Sequence, residues 1–177
     1  VTIAWIALSF ALAGSVFAAP VTIVALGDSL TAGYGLQPAD GFVPQLEGWL
    51  RAQGADVVVQ NAGVSGDTTA GGLARVGWAL GPEAQAMIVT LGGNDMLRGL
   101  DPAAARAALD GILTEAATRG LPVLLVGMQA PGNYGPDYKA AFDAMYPELA
   151  AKHGALLADS FFAGLQAVGA DPADPAS

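Results

Sequence analysis

The sequence predicts an α/β fold in which a parallel sheet is wrapped by helices within one domain. Three observations carry this. Uncharged apolar runs at residues 21–26, 87–91 and 122–128 suit strands buried on both faces. Stretches with apolar residues at helical spacing lie between them, and such alternation favours right-handed β-helix-β crossovers. Three of the strands then run into turns rich in glycine and small polar residues, and none of the chain reads as a domain boundary.

The first strand turns abruptly into Gly27-Asp28-Ser29-Leu30. On pattern alone Ser29 has two readings. It is a hydroxyl nucleophile at a cleft outside the strand's carboxyl end, or the N-cap of the next helix. Residues 31–35 read as a flexible glycine-rich connection and 38–41 as a turn. Phe42, Leu46, Trp49 and Leu50 predict a helix over 42–53, ended by Gly54. Residues 55–60 form the second strand, followed by the turn 61–68. Thr68 or Thr69 caps a helix carrying Leu73, Val76 and Leu80. The third strand, 87–91, ends in Gly92-Gly93-Asn94-Asp95. Asp101-Pro102 opens a long helix, striped by Ala105, Leu109, Ile112 and Leu113, that stops at Arg119-Gly120. The fourth strand leads into a loop, 129–136. Tyr138, Phe142, Met145 and Leu149 mark the next helix, 155–158 a short fifth strand, and 161–165 the start of another helix.

Composition narrows the function classes. Seven Lys+Arg against sixteen Asp+Glu give a net charge of −9, so no general attraction to nucleic acid or anionic membrane is expected. Cysteine is absent, which excludes disulfides, thiolate metal sites and a cysteine nucleophile. No Gly-Lys pair exists for a phosphate-binding loop. The dinucleotide fingerprint fails at Ser29, and the G-x-S-x-G elbow fails at Thr31. An apolar run, 3–12, precedes a small-residue exit, 14–20. Residues 1–18 therefore read as a cleavable secretory signal, with 19–177 as one domain that is periplasmic or secreted and has no stable membrane span. A membrane anchor is the competing reading, and the usual positive start is missing, since no Lys or Arg precedes Arg51.

Carboxyl ends of parallel strands are neighbours. Acyl transfer by serine needs donors aimed at the developing oxyanion. The backbone N–H groups of Ser29 and Gly66 and the side-chain amide of Asn94 are the candidates.

At this point the residues resemble a family. Gly27–Tyr34, Asn61–Thr68, and Leu91–Asp95 with Leu97-Arg98-Gly99 follow one another as in the SGNH (GDSL-type) hydrolases. The thioesterase I, lysophospholipase and arylesterase group is the nearest, with Asn133-Tyr134-Gly135 and Tyr146-Pro147 adding to the likeness. The resemblance implies a flavodoxin-like three-layer α/β/α sandwich with a five-stranded parallel sheet in the order 2-1-3-4-5. It implies that Ser29 is the nucleophile and that Gly66 and Asn94 join its N–H in an oxyanion hole. Asn133, Tyr134 and Gly135 would border the acyl-chain groove. The implied reaction is cleavage of small-molecule carboxylic esters or thioesters through an acyl-serine, by a monomer without metal or cofactor. A carbohydrate O-acetyl esterase and a non-catalytic lipid- or glycan-binding relative are the alternatives.

The match breaks at the family's Asp-x-x-His block. Asp171 and Asp174 have that spacing, but position 174 is not histidine. The single histidine, His153, is expected to face solvent at a helix end and complement its dipole. The expectation is a C-terminally incomplete domain, nearly inactive and with apolar surface left uncovered.

Overall fold

Five strands pair in parallel in the order β2-β1-β3-β4-β5. They are β1 (Val21–Gly27), β2 (Val57–Gly63), β3 (Ala86–Thr90), β4 (Val123–Val126) and β5 (Leu156–Ala158). The helices are α1 (Ser29–Ala32), α2 (Phe42–Ala52), α3 (Thr69–Ala79), α4 (Gly93–Leu97), α5 (Pro102–Thr118), α6 (Pro136–His153) and α7 (Ala163–Ala167). The structure, a computed structural model, describes residues 19–169. The signal reading of 1–18 and the positions Asp171 and Asp174 lie outside the described residues.

Successive strand side chains alternate between two faces. Val24 and Leu26 of β1, Met87 and Val89 of β3, and Leu125 of β4 point to one face. There they pack on Val76 of α3, Leu109 and Ile112 of α5, and Phe142 and Met145 of α6. Ile23 and Ala25 point to the other face, with Val59, and meet Phe42, Val43, Leu46 and Leu50 of α2. Past α2 no described helix lies flat on that face as far as α7. Ile88, Leu124, Val126 and Leu156 line an apolar groove of about 880 Å³ between α2 and α7.

Two local expectations are corrected. A helical turn, α1, takes in Thr31 and Ala32 of the expected connection, leaving 33–35 as a turn, and its cap is Asp28 rather than Ser29. The Asp28 carboxylate accepts the Leu30 N–H at 3.0 Å, which leaves Ser29 as the first helical residue. The second strand also runs on to Gly63, because Asn61, Ala62 and Gly63 pair with Ala25, Leu26 and Gly27.

Tyr146 pins α6 to the end of β3. Its ring is 2 % exposed, and its hydroxyl donates to the Leu91 carbonyl at 3.0 Å. Burial pushes this phenol well above its ordinary range. A pKa raised by folding gives stability that is complete below the unfolded value, about 10, and lost as pH rises beyond it. Tyr146→Phe leaves the Leu91 carbonyl unpaired, at an expected cost of about 1–3 kcal/mol at neutral pH. Above pH ~10 the wild type alone carries the ionising phenol, so the deficit should shrink by about 1.4 kcal/mol per unit. Urea unfolding of both proteins across this range checks it. A deficit that stays constant to pH 11 contradicts the assignment.

Candidate active site

Strand register sets the geometry. Gly27 pairs with Gly63 on one side and Thr90 on the other, so β1, β2 and β3 end level. The three loops that follow leave the sheet side by side, carrying Ser29, Gly66 and Asn94.

Asn94 joins them. It lies in the first turn of α4, and its Nδ2 donates to Asp67 O at 2.9 Å and to Asp28 Oδ2 at 3.2 Å. Asp67 is the residue after Gly66, and Asp28 the residue before Ser29. One amide thus touches the chain neighbours of both other candidates. Burial raises the pKa of the Asp28 carboxyl, against the opposing pull of the Leu30 N–H and the Asn94 amide.

Gly66 sits in a turn closed by the Asp67 N–H on Val64 O at 3.0 Å. Its φ of +82° is a left-handed conformation that side chains disfavour. It is exposed, and its N–H meets no protein acceptor among the described residues.

Other side chains hold these loops. Arg75 of α3 pairs with Asp67 at 2.7 Å and donates to Ala62 O and Gly27 O, tying the ends of β1 and β2. The Asp95 carboxylate accepts the Thr69 N–H and hydroxyl at 2.9 and 2.7 Å. Arg98 donates to Gly66 O at 2.7 Å. Sequence reasoning assigned none of these holding roles. Arg98 lies in the Leu97-Arg98-Gly99 stretch, and Arg75 is the lone charge in an otherwise uncharged helix; no short-range pattern names their partners.

Asn133 and Tyr134 are exposed in a 3-10 turn that precedes α6, and Gly135 is half-buried. The Tyr134 hydroxyl reaches Leu97 O at 3.3 Å, which puts this loop at the far end of α4 from Asn94.

His153 is elsewhere. It ends α6 three residues before β5 begins, at the amino edge of the sheet, and it shares a cavity with Pro122 and Val123 at the start of β4. It does not face solvent as expected. Its side chain is 12 % exposed, with Nε2 2.6 Å from Asp110 Oδ1, because α5 places Asp110 opposite the end of α6. Lys152 shares that carboxylate at 2.7 Å, and these two partners, Lys152 first, hold Asp110 below the usual carboxylate range. Among the described residues no cluster of metal-ligating side chains occurs.

A 2-1-3-4-5 parallel sheet whose first crossover opens with Gly-Asp-Ser-Leu defines the class: a GDSL-type hydrolase. The chain belongs to the GDSL-like Lipase/Acylhydrolase family, whose family model matches residues 25–176. It is 43% identical over 152 residues to Esterase TesA of Pseudomonas aeruginosa, covering 85% of this chain and 76% of that one. It is 38% identical over 134 residues to Thioesterase 1/protease 1/lysophospholipase L1 of Escherichia coli K12, covering 75% of this chain and 63% of the relative. The crystal structure of AlinE4, a SGNH-hydrolase family esterase, superposes with a TM-score of 0.81 at 49% identity, covering 86% of this chain and 81% of that one.

Proposed function

We propose that the chain carries the nucleophile and oxyanion-binding parts of a serine acylhydrolase acting on small-molecule acyl esters or thioesters. The observation that carries this is the Asn94 amide, bonded at once to the residue beside Ser29 and the residue beside Gly66. The esterase and thioesterase names of the relatives support the substrate class. The apolar run ahead of residue 19 supports export. No described helix is long and apolar enough to cross a membrane, and the proposed form is a monomer.

In the proposed reaction Ser29 Oγ gives its proton to a base from solvent or buffer and attacks the acyl carbonyl carbon. Negative charge develops on the carbonyl oxygen, where the N–H groups of Ser29 and Gly66 and the Asn94 amide meet it. Collapse expels the alkoxide or thiolate and leaves an acyl-serine, which water hydrolyses. Asn94 Nδ2 has two hydrogens, and both are engaged at rest. The longer bond, to Asp28 at 3.2 Å, is the one an oxyanion displaces. Asn133, Tyr134 and Gly135 flank the acyl chain in this reading.

The single histidine of the 177 residues is bound to Asp110 at the opposite edge of the sheet, so it supplies Ser29 with no base. Loss of the base alone costs a serine hydrolase up to about 10⁶-fold in kcat. These 177 residues alone are therefore proposed to be nearly inactive toward an activated ester such as p-nitrophenyl butyrate. A fluorophosphonate probe should still modify Ser29 slowly, faster with added imidazole, and should not modify Ser29→Ala. Labelling that persists in Ser29→Ala overturns the reading.

A further inference from the structure

We infer that Arg98 is a positioning residue for the oxyanion-binding peptide of Gly66; the inference rests on the donor role proposed for Gly66. The β2–α3 loop is docked on α4 by three side chains. Asn94 holds the carbonyl of Asp67, Asp95 holds Thr69, and Arg98 holds the carbonyl of Gly66. Asn94 and Arg98 are one helical turn apart, with the Arg98 N–H on Asn94 O at 3.2 Å. Two successive carbonyls of the loop are thus gripped by one short helix and its C-cap residue.

The grip at Gly66 is the outermost. Val64, Ser65 and Gly66 are exposed, and Val64 is tied back by its N–H on Gly27 O at 3.0 Å. Gly66 also has the widest choice of backbone conformations, since glycine enters the left-handed region without penalty. Left unheld, such a residue samples several peptide orientations. A guanidinium bonded to its carbonyl at 2.7 Å fixes one, through a charge-assisted hydrogen bond. The Gly66 N–H, which has no protein acceptor among the described residues, is then preset toward whatever oxygen arrives. Preorganised donors are effective because they need no reorientation as charge develops.

This assigns Arg98 an effect on the chemical step rather than on substrate affinity. Losing an oxyanion donor outright costs about 10²–10³ in rate. Loosening one is expected to cost about tenfold. The experiment measures fluorophosphonate labelling of Ser29 in imidazole buffer as separate kinact and KI for wild type, Arg98→Met and Arg98→Lys. Arg98→Met should lower kinact about tenfold with KI unchanged, and Arg98→Lys, which keeps a charged donor, should recover to within about threefold of wild type. The ¹⁵N backbone order parameter of Gly66 should fall in Arg98→Met and be restored in Arg98→Lys. An unchanged kinact in Arg98→Met, or a change confined to KI, overturns the inference. If wild type is not labelled at Ser29, the hydrolase reading falls. The Gly66 order parameter then decides the Arg98 contact alone, and an unaltered value in Arg98→Met overturns it.

Discussion

Arg75→Met should lower unfolding free energy by about 3–5 kcal/mol and abolish labelling of Ser29. Arg75 reaches across the ends of two strands with one guanidinium. It pairs with Asp67 at 2.7 Å and donates to Ala62 O at 2.8 Å and Gly27 O at 2.9 Å. The Arg75 and Asp67 side chains are 19 % and 13 % exposed, so water replaces little of what is lost. Methionine fills a similar volume but leaves a shielded carboxylate without its partner and takes one donor from each of the two strand-end carbonyls, of which Gly27 O keeps the Val64 N–H. A domain of this kind has about 5–15 kcal/mol in all, so the variant sits near the edge of folding. The same three bonds set the distance between the loop of Ser29 and the loop of Gly66, so chemistry should fail before the fold does. Urea midpoints at constant m-value give the first effect, and mass spectrometry of the labelled protein gives the second. The double variant with Asp67→Asn should recover part of the lost stability, because it removes the stranded charge. A single variant within about 0.5 kcal/mol of wild type, still labelled at Ser29, would mean the clamp is incidental.

How much of this was legible depends on sequence distance. The strand of residues 21–26 announced itself through six adjacent uncharged residues, and the long helix α5 through Asp101-Pro102 and its apolar stripe. Both are local signals of period and capping. The extra pairing of Asn61, Ala62 and Gly63 had no such signal, because it exists only where β1 offers Ala25, Leu26 and Gly27 as partners. Ser29 as cap or nucleophile was undecidable locally, since Asp28 next to it is an equally good cap. The carboxylate of Asp28 takes the Leu30 N–H and leaves the serine hydroxyl without a partner among the described residues. The three loops were legible as glycine-rich turns at strand ends, and the family blocks supplied their roles. Their holders were not legible: Arg75 and Gly27 are 48 residues apart, Arg98 and Gly66 32 apart. His153 shows the same limit. Its helix-end position was readable, but Asp110, 43 residues away on α5, is what withdraws it from solvent.

Gly63→Ala should cost about 3 kcal/mol of stability and about a hundredfold in Ser29 labelling, although the change adds one methyl group. Gly63 ends β2 directly beneath α1. A Cβ there would lie 2.3 Å from Ala32 N, 2.8 Å from Ala32 Cα and 2.8 Å from the Thr31 carbonyl carbon. All three are backbone atoms, so no rotamer change relieves the overlap. Either β2 unpairs from Gly27 at its last position, or α1 lifts off the sheet. The second path breaks less, because the helix is four residues long and the Ala32 N–H is tied to Asp28 O at 2.9 Å. Ser29 is the first residue of that helix, so lifting it carries the hydroxyl away from the Gly66 and Asn94 loops. A displacement of about 1 Å at a reacting group suffices for a loss of about 10². Gly81→Ala is the matched control: its new methyl meets only the flexible end of Glu83, which can turn aside. Urea midpoints and labelling rates for both variants test the argument. Equal behaviour of the two would show that α1 is not seated on Gly63, and with that the register of Gly27 and Gly63 would no longer explain where Ser29 sits.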